Sequence, residues 1–240
     1  MNYFYITGTS RGIGKAVAER LLANPDNKIF GISRTASISH PNYQHIQADL
    51  SDPESLKKIV FAAHPEAENI GLINNAGVLG PVTKIGNLHA EETHKAGMVN
   101  LTTPMLLINK FVHAYQEQRA NKVVLSTSSG AARHTVESWS IYCATKAGID
   151  MFSRVLQEEQ NSRSRNNAFK VYAVAPGIVD TQMQTEIRST SEEDFKDVNK
   201  FISFKENNLL VSPEEVAEKF EDILLHPANY PDVLMDLREV

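Results

Sequence analysis

The feature that most constrains this chain is an alternation, kept from end to end, of short apolar runs and segments of helical period. YFYIT, KIFGISR, YQHIQADL, NIGLINNAG, KVVLSTSS, FKVYAVAPG and VLMDL read as strands. Between them lie GIGKAVAERLLAN, SDPESLKKIVFAAH, VNLTTPMLLINKFVHAYQEQ, WSIYCATKAGIDMFSRVLQEEQ and SPEEVAEKFEDILL, which read as helices. In the first of these, Ile13, Val17 and Leu21 fall on one face, and Asn24–Pro25 ends the helix. The second has a Ser or Asp cap and a proline at the first helical position. Pro104 is expected in the first turn of the third, where a missing N–H is tolerated. Such alternation predicts an α/β fold on a parallel sheet, and the buried-type strand runs fit helices on both faces. No repeat or linker interrupts it, so one domain over residues 1–240 is expected.

TGTSRGIG (Thr7–Gly14) joins the first strand to the first helix. Glycines there let the backbone turn sharply and approach a pyrophosphate at the helix N-terminus, which brings Gly8, Ser10, Arg11, Gly12, Ile13 and Gly14 into consideration. Any tight strand-to-helix turn also needs glycine, so the loop alone leaves both readings open. It lacks the Gly-Lys-Ser/Thr ending of a Walker loop. In WSIYCATKAG, Tyr142 and Lys146 are one helical turn apart, as a surface pair or as a proton donor beside a cation.

TGxxxGIG, NNAG at Asn74–Gly77 and YxxxK, in that order, resemble the short-chain dehydrogenase/reductase family over the whole chain. The resemblance implies an NAD(P)-dependent oxidoreductase on a Rossmann-like, doubly wound parallel seven-stranded sheet. It makes Tyr142 the proton donor and has Lys146 hold the nicotinamide ribose. Ser129, selected by aligning on Tyr142, is then the second donor to the carbonyl oxygen, while Ser128 reads as a strand terminus. It makes Asn100 the holder of a relay water; an amide bonded to backbone is the alternative. Asp49, with Leu50, would meet the adenine, and Asn75, Ala76 and Gly77 the adenosine. Pro176, Gly177, Val179 and Thr181 would orient the nicotinamide carboxamide, and residues of about 178–210 would form a substrate lid.

The chemistry supplies its own reasons. Reducing a ketone needs a hydride on carbon and a proton on oxygen, and a tyrosine with a pKa of about 10 leaves a costly phenolate. A nearby ammonium is expected to lower that pKa. After the second strand, Ser33 and Arg34 stand where an NAD enzyme wants a carboxylate, and Arg11 can point to the same place, so NADP(H) is the expected cofactor.

WSIYCATKAG, DTQMQTEIR and VLMDL resemble the sepiapterin reductase branch, and the segment through FISFKENNLLVSPEEVA is more similar still to bacterial relatives that reduce benzil to a benzoin. That resemblance implies a small-molecule carbonyl substrate, an aromatic 1,2-diketone against Trp139, Val136, Ile178 and Met183. A pterin anchored by Asp236, or a 3-oxoacyl thioester, is the alternative. The family also implies a homodimer or homotetramer through the helices that begin at Leu101 and Tyr142.

A formal net charge of −5 argues against nucleic acid as a partner. The pair Arg163 and Arg165 reads as a solvated helix end beside Glu158 and Glu159. One cysteine, Cys143, excludes an intrachain disulfide and fits a reducing compartment, with packing as its expected role. With no leader-like N-terminus and no apolar run of membrane-spanning length, a soluble cytoplasmic protein is expected. The histidines lack paired metal spacing, so no metal is expected, and His134 reads as a polar loop residue.

Overall fold

A computed structural model describes residues 1–163 and 168–239; Arg165 of the expected basic pair lies outside the described residues. Among these, seven strands form one parallel sheet: β1 (Asn2–Thr7), β2 (Asn27–Ser33), β3 (Tyr43–Gln47), β4 (Asn69–Asn74), β5 (Asn121–Thr127), β6 (Phe169–Ala175) and β7 (Leu234–Asp236). Their order is β3-β2-β1-β4-β5-β6-β7. The chain winds outward from β1 to β3, then returns to place β4 on the other side of β1. A crevice opens at that switch point, at the C-terminal ends of the strands.

Alternation along β1 divides the core. Tyr3 and Tyr5 face one layer with Leu107, Phe111, Ile149 and Leu156, while Phe4 and Ile6 face the other with Val17, Leu21, Val216 and Phe220. The first layer belongs to α4 (Thr103–Tyr115) and α5 (Ser140–Asn161), the second to α1 (Gly12–Leu22) and α8 (Pro213–Leu225). Helix α8 opens on a capping box between Ser212 and Glu215, as its SPEE start demands. No helix among the described residues is long and apolar enough to cross a membrane.

Three expectations about elements change. The helix expected over SDPESLKKIVFAAH is only α2 (Pro53–Lys57). Tertiary partners take backbone carbonyls in its last turn and beyond it: Lys110 Nζ donates to those of Leu56 (3.0 Å) and Ile59 (2.5 Å), and the Tyr115 hydroxyl donates to that of Ala62 (2.7 Å). The helix expected from Val99 begins earlier. It runs as α3 (Ala90–Gly97), a π-helical stretch Met98–Thr102, and α4. Pro104 cannot donate to the carbonyl of Asn100, and the wider π turn lets the helical path continue past it. Arg163 pairs with Glu117 at 2.6 Å rather than with its sequence neighbours.

The weakly periodic stretch after β6 holds two helices, α6 (Gln182–Arg188) and α7 (Val198–Glu206).

Candidate active site

A cavity of about 1360 Å³ occupies the C-terminal edge of the sheet. At one end the glycine loop turns through positive φ at Gly8 (78°) and Gly12 (56°). No side chain caps the N-terminus of α1, and its first turn carries no acid, so its amide groups are available to an anion. Gly8, Ser10, Arg11, Gly12 and Ile13 line the cavity, but Gly14 does not. Gly14 is where the helix meets the loop: a Cβ there would lie 2.5 Å from both the Gly8 carbonyl oxygen and Asn75 Nδ2. Thr7, which sequence reasoning left out, ties the switch point together. Its Oγ1 accepts from the amides of Asn75 (2.9 Å) and Ala76 (3.0 Å), and its carbonyl accepts from Asn75 Nδ2 (3.2 Å).

Next to this loop, Ser33, Arg34, Asp49, Leu50, Asn75, Ala76 and Gly77 line the cavity. The Ser33 hydroxyl donates to the Thr35 carbonyl (2.9 Å), and Arg34 is exposed at the rim. Asp49 accepts from the Ser51 hydroxyl (2.7 Å) and amide (2.9 Å), which hold its carboxyl below the usual range. Lys95 of α3 adds a cation that the sequence did not single out, because its helix was not recognised. Arg11 departs from the expected direction: its guanidinium donates to Gln182 Oε1 at the start of α6.

At the centre of the cavity the end of β5 meets α5. Lys146 Nζ donates to the Thr127 carbonyl (2.7 Å), and the Ser129 hydroxyl hydrogen-bonds the Tyr142 phenol. Ser129 Oγ also caps the short turn Gly130–Ala132 by accepting from the Ala131 amide (3.2 Å). Burial pushes the Tyr142 phenol above its ordinary pKa, with the Ser129 bond pulling the other way. The net shift runs opposite to the expected lowering by Lys146, because desolvation of the buried phenolate dominates. Burial also pulls Lys146 down, to about 8, against the opposing charge of Asp150.

Asn100 does not line the cavity. Its Oδ1 accepts from the Val78 amide (2.9 Å) and its Nδ2 donates to the Val78 carbonyl (2.8 Å). A backbone-bonded amide was the alternative for this residue, and the backbone it binds is the turn after NNAG rather than its own helix.

At the other end, Val136, Trp139, Ile178, Met183 and Asp236 all line the cavity, beside His134, Ile187 and Phe201. Trp139 stacks on Phe195 (5.1 Å between centroids), leans on Phe201 (5.5 Å) and meets Tyr142 edge-on (5.7 Å). These contacts dock the α6–α7 segment on the start of α5, and Cys143 packs at the margin of the same cluster. Asp236 is buried, its carboxylate accepting from Arg238 Nε (2.9 Å) and Nη2 (2.5 Å), and this partner holds its pKa low. Arg238 lines the cavity too, and an arginine two residues after the last strand's acid was the one available sign of it.

The short chain dehydrogenase family model matches residues 2–192. A benzil reductase ((S)-benzoin forming) of Bacillus cereus is 35% identical over 237 residues, covering 93% of this chain and 94% of its own. The sepiapterin reductase of Meriones unguiculatus is 31% identical over 209 residues, 78% of this chain and 77% of its own. Among solved structures, the YIR035C short chain dehydrogenase/reductase of Saccharomyces cerevisiae superposes with a TM-score of 0.83 at 27% identity, covering 98% of this chain and 96% of that one. The chain therefore belongs to the short-chain dehydrogenase family, as an oxidoreductase that uses NAD(P)H and acts on carbonyl and alcohol groups.

Proposed function

We propose that the protein is an NADPH-dependent carbonyl reductase that converts one carbonyl of an aromatic 1,2-diketone of the benzil type to an α-hydroxyketone. The observation that carries this reading is one continuous cavity. It runs from Arg34 and the uncapped α1 N-terminus, past Tyr142, Ser129 and Lys146, to an apolar wall of Val136, Trp139, Ile178 and Met183. The benzil reductase likeness supports the diketone.

The residues present fit a dinucleotide. The glycine turn leaves backbone amides for the pyrophosphate, Asp49 offers an acceptor to the adenine amino group, and Pro176, Gly177, Val179 and Thr181 line the wall where a nicotinamide would lie. When bound, that cofactor supplies the hydride.

The chain's own residues supply the rest. The raised pKa keeps the Tyr142 proton in place at neutral pH, so the phenol is a donor aimed at the carbonyl oxygen. Ser129 gives a second hydrogen bond to that oxygen as charge develops. Lys146, an ammonium below about pH 8, offsets the charge left on the phenolate. Asn100 braces the Gly77–Val78 turn. Any water relay would use its main-chain carbonyl, which Pro104 deprives of the ordinary helical donor.

Helices α6 and α7, within residues 178–210, form the substrate lid. Leu106 (46% exposed), Met151 (55%) and Val155 (50%) lie on α4 and α5 and suit a dimer or tetramer contact through those helices. The single cysteine and the cofactor chemistry fit a cytoplasmic enzyme.

Selection of NADPH rests on Arg34, since no carboxylate stands at the end of β2. A charge-assisted hydrogen bond contributes about 1.5–3 kcal/mol. Arg34→Ala is therefore expected to lower kcat/KM with NADPH roughly 10- to 100-fold, with little change for NADH. Equal efficiency of the unmodified protein with both cofactors would contradict the assignment.

Pterin reduction is the second reading, favoured by the sepiapterin reductase likeness and by Asp236 in the wall. It ranks lower because Arg238 already engages both oxygens of that carboxylate. Comparing kcat/KM for benzil and sepiapterin with NADPH decides between them; a higher value for sepiapterin would reverse the order.

A further inference from the structure

Three successive residues at the end of β5 each reach α5. The Thr127 carbonyl holds Lys146, the Ser128 hydroxyl donates to Asp150 Oδ1, and the Ser129 hydroxyl meets Tyr142. The middle contact belongs to no role so far described. Ser128 is 2% exposed and Asp150 is 5% exposed, so this is a buried carboxylate one helical turn beyond Lys146. Its other oxygen faces Arg133 Nε at 3.4 Å, from the loop that follows Ser129. We propose that Asp150 is a positioning residue, which fastens the Ser129 loop to the helix bearing Tyr142 and steadies the ammonium of Lys146. The proposal rests on the catalytic reading given above.

A buried carboxylate is retained only where partners compensate its desolvation. Burial still holds the Asp150 carboxyl above its ordinary pKa, while Ser128 and Arg133 from one side of the cavity, and Lys146 along α5, pull it back toward the charged form. Both partners on the β5 side flank Ser129 in sequence, so the carboxylate fixes the height of that loop against Tyr142. The charge acts in the other direction too. Burial draws Lys146 down to about 8, and Asp150 is the charge that opposes this. The remaining groups around the pair are Tyr142 and Cys143 on α5 and the Thr127 carbonyl on β5. Beyond Arg133 lie Asp236 and its partner Arg238 at β7. Among these only Asp150 places a negative charge on the helix of Lys146 itself.

The test is the pH profile of kcat for NADPH-driven diketone reduction. The ammonium of Lys146 is present below its pKa and lost above it, so kcat should hold on a plateau and fall as pH rises through about 8. Asp150→Asn keeps an acceptor for Ser128 but removes the charge, and should move the falling limb about one pH unit lower. Asp150→Ala should move the limb equally and also lower the plateau about ten-fold as the Ser129 loop loosens. Ser128→Ala keeps the charge, so only the plateau should fall. An unmoved limb in Asp150→Asn overturns the proposal. If that variant does not fold, Asp150→Glu keeps the charge on a longer arm and carries the test: the plateau should fall while the limb stays near that of the parent, and a full plateau with a displaced limb overturns the proposal. Full turnover by Lys146→Met would overturn the catalytic reading and this inference with it. Loss of turnover there, with an unmoved limb in Asp150→Asn, overturns this inference alone.

Discussion

Tyr142→Phe is expected to lower the rate of carbonyl reduction by roughly 10²–10⁴-fold, the range that positioned proton donors supply. The ring is buried and packs edge-on against Trp139, so phenylalanine fills the same space and the fold should survive. NADPH affinity should change little, because Lys146, the glycine loop and Arg34 are untouched. The loss should appear in kcat rather than in KM, since the phenol's bond to the carbonyl oxygen strengthens as charge develops there. Steady-state kinetics with a parallel NADPH titration measures both. Full turnover by the variant would remove Tyr142 from the chemistry.

Gly14→Ala should destabilise the protein, against the usual sign of that substitution in a helix. Alanine is ordinarily the better helix residue by about 0.5–1 kcal/mol. At Gly14, however, the added Cβ would meet the Gly8 carbonyl oxygen at 2.5 Å, and that oxygen is backbone in a turn already fixed by positive φ. The helix and the loop must separate, at an overpacking cost of about 1–3 kcal/mol. A melting temperature lower by roughly 2–10 °C is expected from that range. NADPH affinity should drop at least about ten-fold, since the displaced amides are those proposed to bind the pyrophosphate. A thermal melt and an NADPH titration check the two effects separately. A variant as stable as the parent would show that the close packing here carries no energetic weight.

Much of this architecture was legible because it rests on local patterns. The apolar runs of β1, β4, β5 and β6, and the caps and periodicity of α1, α5 and α8, are short-range signals that the tertiary structure reinforces. Where the sequence misled, long-range contacts decided. α2 stops early because Lys110 and Tyr115, distant in sequence, take carbonyls in its last turn and just after it. α3 was overlooked because only Ala96 of its residues is buried, which leaves no apolar face to read. In the site, the residue types that carry motifs were visible: the glycine loop, NNAG, and Tyr142 with Lys146. Their supports were not. Thr7, Asp150 and Arg238 matter for what they touch across the sheet, and no spacing along the chain reveals that. The direction of the Tyr142 pKa shift was misjudged for the same reason, since burial is a property of the folded cavity and not of the YxxxK pair.

In the proposed function, this cavity moves a hydride from NADPH to a diketone carbon while Tyr142 protonates the oxygen. The most direct test is a single turnover of benzil with NADPH deuterated at both C4 positions, with mass analysis of the product. Benzoin carrying one deuterium on the carbinol carbon is expected from the unmodified protein, and almost none from Tyr142→Phe. Absence of NADPH oxidation with benzil, or a carbinol hydrogen drawn from solvent, would contradict it.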